Sequence, residues 1–165
     1  MSLCEVYMPE ECEKCRFCCS FRRTSLGETP LIDEELLEKL KKLYPEAKFK
    51  FVDGYYTVDL DNLYKTDDPE EEALCYFNKG KGCILGDDKP LGCRIWPFRV
   101  MKCGENLAIA LNNDCPAFAN KTLAEIYEAL NFSLEKEMLD YAMKIPAFAT
   151  KYHGNHTILK IFEDK

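Results

Sequence analysis

The sequence predicts a small α+β domain of short β-hairpins and helices gathered around cysteine-rich segments. Three observations lead to that expectation. Apolar residues recur at helical spacing in two stretches, 36–44 and 126–141. Alternating apolar runs flank Asp53-Gly54 and Gly104-Glu105-Asn106, as the arms of hairpins do. Ten cysteines, four of them inside ECEKCRFCCS (11–20), exceed what packing alone asks of a small thiol.

Each element follows from its residues. Residues 1–23 read as an irregular, cysteine-rich opening segment. Asp33 has the form of an N-cap, and Glu34 and Glu35 follow in the first turn, where carboxylates suit the helix dipole. Leu36, Leu37, Leu40, Leu43 and Tyr44 make one apolar stripe, and Pro45 ends it. In KFKFV (48–52), Phe49 and Phe51 share a face; Asp53-Gly54 turns the chain into YYTVDL. The polar, acidic residues 61–74 are expected to cover the surface. CYFNKGKGC puts Asn78, Gly80 and Gly82 into a tight loop between Cys75 and Cys83. FRVMKC (98–103) and LAIAL (107–111) form a second hairpin. Thr122-Leu123-Ala124-Glu125 is a capping box. Ile126, Tyr127, Leu130, Leu134, Met138 and Tyr141 continue that stripe, with a break near Asn131 and Ser133, until Pro146 stops it. TILKIF (157–162) reads as a last strand. No repeat, low-complexity tract or linker divides the chain, so residues 1–165 are expected to form one cysteine-rich domain.

The bulk numbers exclude some functions. A chain of 165 residues that is 47% hydrophobic can bury a core without covalent staples. A formal net charge of −7 argues against nucleic acid or an anionic membrane as partner. Basic residues Lys14, Arg16, Arg22, Arg23, Arg94 and Arg99 flank cysteines and are expected to offset thiolate charge. No stretch reaches the apolar length that spans a bilayer, and the N-terminus lacks the pattern of a secretory signal. The expected location is cytoplasmic, where cysteines serve metal binding or redox work more than structural disulfides. A protein partner is left open.

The cysteines stand at 4, 12, 15, 18, 19, 75, 83, 93, 103 and 115. Two thiolates separated by two residues can face one ion, and four complete a zinc site or hold an iron–sulfur cluster. Cys12, Cys15 and Cys18 give two overlapping Cys-x-x-Cys units, like the first three ligands of a bacterial ferredoxin motif. The only Cys-Pro is Cys115-Pro116. One grouping therefore places Cys12, Cys15, Cys18 and Cys115 in one centre; alternatively Pro116 only starts the next helical region. Neighbouring side chains diverge, so Cys19 joins Cys75, Cys83 and Cys93 in a second site or a reactive thiol pair. Cys18 and Cys19 bond to each other only with backbone strain. Cys103, in an alternating strand pattern, reads as a buried inert thiol, and Cys4 stands apart. Arg94 directly follows Cys93, where its guanidinium would neutralise a thiolate-rich centre or clamp a carboxylate; the plainer reading is a surface ion pair. Trp96, Pro97 and Phe98 would shield the site. His153 and His156 flank a Gly-Asn turn and read as a solvated loop.

Taken in order, Cys12, Cys15, Cys18, Cys19, then Cys75, then Cys83-Ile84-Leu85, then KPLGCRIWPF (89–98) and Cys115-Pro116 resemble the zinc- or iron-chelating CxxCxxCC family (YkgJ-like). The flagellin lysine N-methylase is similar to that family. The resemblance covers residues 12–116. It implies a zinc or iron–sulfur centre held by Cys12, Cys15, Cys18, Cys19, Cys75, Cys83, Cys93 and Cys115, with Arg94 behind the ligands. Lys89 departs from the arginine usual in the family, and a lysine does not reproduce a bidentate contact. Trp96 before Pro97 is a second departure. Metal binding is the first functional expectation. An iron–sulfur-dependent protein-lysine methyltransferase is the alternative, and a thiol–disulfide redox protein the second alternative. The thioredoxin-like βαβ context of the last is absent from the sequence.

Overall fold

The computed structural model describes residues 15–80 and 82–163. These gather into two compact units that meet in the chain between Arg94 and Ile95. Helices and mostly antiparallel strands make the chain α+β, as its periodicities predict. Among the described residues no helix is long and apolar enough to cross a membrane.

In the first unit, strand β1 (Ser20–Arg22) pairs antiparallel with a strand spanning Glu72–Leu74. Helix α1 (Glu34–Leu43) starts where Asp33 accepts a bond from the Leu36 N–H at 2.9 Å. It buries Leu37 and Leu40, and the Tyr44 N–H closes it onto the Leu40 carbonyl. Strands β2 (Phe49–Val52) and β3 (Tyr55–Val58) form the expected hairpin. Asp53 (φ 49°) and Gly54 (φ 95°) both take the positive φ of a type I′ turn, which is why Asp-Gly was legible there. A bridge between Ile32 and Tyr56 fastens the approach to α1 onto this hairpin.

Phe21, Ile32, Leu37, Leu40, Val58, Leu60, Tyr64, Ala73, Phe77 and Leu85 make the core of this unit. Phe77, 1% exposed, is ringed by Tyr44, Phe49 and Tyr76, with centroids 5.3, 6.2 and 5.3 Å away. Two expectations need correction. Phe51 shares the strand face of Phe49, but near the turn it runs past the core and is 62% exposed against Tyr56. Residues 61–74 are not only surface. Tyr64 is buried, donates to the Phe21 carbonyl at 2.8 Å and lies under the Arg23 guanidinium. Ala73 is buried as part of β4, the Glu72–Leu74 strand.

In the second unit, β5 (Phe98–Cys103) and β6 (Asn106–Asn112) form the other expected hairpin, with Gly104 at φ 65° in the turn. A short β7 (Thr150–Lys151) adds parallel to β5, and β8 (His156–Phe162) adds antiparallel to β6. The order β7-β5-β6-β8 leaves β8 at a rim. Its register shifts opposite Ile109 and Ala110, whose partners are Lys160 and Ile158, so Leu159 is the extra residue of a bulge.

Helix α2 (Leu91–Ile95) spans the join between the units, and α3 (Leu123–Ala129) and α4 (Phe132–Lys144) follow β6. The break falls where expected: α3 ends at Leu130, and the Asn131 side chain caps α4 by accepting from the Leu134 N–H. The Thr122–Glu125 capping box closes in both directions. Tyr127 donates to the Leu159 carbonyl at 2.6 Å, and Glu135 pairs with Lys160 at 2.7 Å. The histidine loop is not simply solvated. His156 is 4% exposed, opens β8 opposite Asn112 and meets the His153 ring edge-on.

Replacing Phe77 with Ala should cost about 3–5 kcal/mol in urea unfolding, the usual range for a buried aromatic. Thr122 amide and hydroxyl bonds hold the Glu125 carboxyl below its ordinary 4.5. That contribution is present above the ordinary value and is lost as pH falls through the lowered one. Glu125→Gln should therefore lower the thermal unfolding midpoint at pH 7 and much less at pH 3.

Candidate metal centre

The cysteine group of the first unit is assembled by the β1–β4 ladder. Ser20, Phe21 and Arg22 face Leu74, Ala73 and Glu72, and one step further the Cys75 N–H donates to the Cys19 carbonyl at 2.7 Å. Cys19 thus stands opposite Cys75. Before this, Arg16 takes a left-handed conformation (φ 53°) and accepts from the Cys19 N–H at 2.9 Å. That turn winds Phe17–Cys19 into a short 3₁₀ helix and leaves Cys18 Sγ 3.9 Å from Cys19 Sγ, well beyond a disulfide.

Past Cys75 the chain loops back on itself. Asn78 pairs antiparallel with Cys83, and the Ile84 N–H donates to the Phe77 carbonyl at 2.9 Å. Gly80 (φ 89°) and Gly82 (φ 92°) supply the positive φ this tight return needs. Both Cys75 and Cys83 pack against the core cluster. Cys93 sits on α2, its N–H donating to the Pro90 carbonyl at 2.9 Å.

These sulfurs act on one another electrostatically. The Cys18 thiol, opposed by burial and aided by the Asn78 side chain and the Lys89 charge, brings Cys19 from 9.0 down to about 7. Burial pushes the Cys75 thiol up to about 12, and Cys19 and Cys83 add to the rise. Burial, then Cys19, Cys75 and Cys83, push Cys93 well above its ordinary value. Of Cys19, Cys75 and Cys93, Cys19 is thus the readiest to ionise. Among the described residues, no three or more His, Cys, Asp or Glu side chains are drawn into an arrangement that could hold a metal ion.

Other expected ligands lie elsewhere. Cys12, like Cys4 and Lys14, falls outside the described residues. Cys15 is an exposed free thiol. Cys115 is buried in the second unit, where it precedes the Pro116–Phe118 3₁₀ turn, so Pro116 does start a helical turn. Cys103 is not the buried thiol expected, because it ends β5 beside the Gly104 turn and is partly exposed. Arg94 is partly buried on α2, next to Cys93. Trp96, Pro97 and Phe98 are buried at the start of the second unit.

Several of the expected cations have other contacts. Arg22 pairs with Glu70 and Glu72 at 3.1 and 3.4 Å, and Arg99 lies over Trp96. Charges that reach the sulfurs include Lys89, on Cys19 and Cys93, and Lys79, on Cys75. Lys79 did not stand out in the sequence, because a charge near a thiol is recognisable only once the loop has closed.

In reduced protein at pH 7, iodoacetamide should label Cys19 well before Cys75 or Cys93, and labelling of Cys19 should fall as pH drops below 7. Peptide mass mapping over time checks this; equal rates at the three sites would contradict the assignment. No family model, no curated protein and no solved structure matches the chain.

Proposed function

We propose that the chain is a metal-binding protein whose first unit holds zinc or an iron–sulfur cluster through Cys18, Cys19, Cys75, Cys83 and Cys93. The observation that carries this reading is the ladder placing Cys19 opposite Cys75, with the Cys18 sulfur 3.9 Å from Cys19. What supports the reading is chemical: soft sulfurs from segments remote in sequence are the donors that zinc and iron–sulfur clusters take, and a cation favours their thiolate forms. When bound, the metal would supply a positive centre that favours every thiolate at once. The chain's own residues would do the rest. In this reading Cys19 and Cys75 would come from the ladder, Cys83 from the turn at Asn78, Cys93 from α2 and Cys18 from the 3₁₀ turn before β1. Cys12, Cys15, Cys115 and Arg94 enter this proposal through the CxxCxxCC resemblance.

One observation favours thiol–disulfide exchange as a second reading: Cys19, lowered to about 7, lies beside the Cys18 thiol. Bonding two adjacent cysteines strains the backbone, which keeps this reading second. The methyltransferase-like alternative draws on the resemblance alone.

Anaerobic purification followed by metal and acid-labile sulfide analysis separates these readings. Brown protein with iron and sulfide identifies a cluster, and colourless protein with stoichiometric zinc identifies a zinc site. Cys75→Ser and Cys93→Ser should each lose most of the bound metal, and Cys103→Ser should keep it. Reduced wild-type protein that folds and takes up neither zinc nor iron would sink the proposal.

A further inference from the structure

We draw no further inference here: the strongest candidate, the edge-on pair of His153 and buried His156 in the turn from β7 to β8, is two imidazoles to which no third His, Cys, Asp or Glu is drawn as a metal ligand among the described residues, and nothing in the structure shows what ligand it would take.

Discussion

The bond from the Cys75 N–H to the Cys19 carbonyl joins two segments far apart in the chain and brings their backbones side by side. The strands behind it are three residues each, too short to choose a register by backbone pairing alone. Burial chooses it. Phe21 and Ala73 are opposite and both inside, and a slip of one residue would turn them out. The surrounding polar contacts, Ser20 with Glu72 and Arg22 with Glu70, lie at the exposed margin, where such pairs contribute little. The pairing of these two segments is thus fixed by the hydrophobic core next to them.

Bringing sulfurs together has an electrostatic cost, and the structure distributes it unevenly. Cys19 receives donors and the Lys89 charge; Cys75 and Cys93 receive burial and the repulsion of their neighbours.

Local chemistry made much of the fold legible. Asp53-Gly54, Gly104, Asp33 and the Thr122–Glu125 box each specify one conformation within a few residues, and each forms as read. The β1–β4 pairing was not legible, because neither SFR nor EAL is long enough to show a period. Of the candidate site, the divergence of neighbouring side chains sets Cys19 with Cys75, Cys83 and Cys93 rather than with Cys18, and a sequence holds no signal of the distances between such remote cysteines. Asn78 reads in the sequence as part of the tight loop with Gly80 and Gly82, and it does close that turn onto the Gly80 N–H. His156 escaped because Gly154-Asn155 hides that the next residue already belongs to a strand.

The rim of the four-stranded sheet shows how an open side can be kept from recruiting company. Leu159 protrudes midway along β8, and the Tyr127 hydroxyl occupies its carbonyl. Beside it Lys160 is held by Glu135. An incoming chain would therefore meet a kinked, partly engaged row of amides with a cation at its middle, a poor template for cross-molecular zipping despite the exposed Ile158 and Ile161.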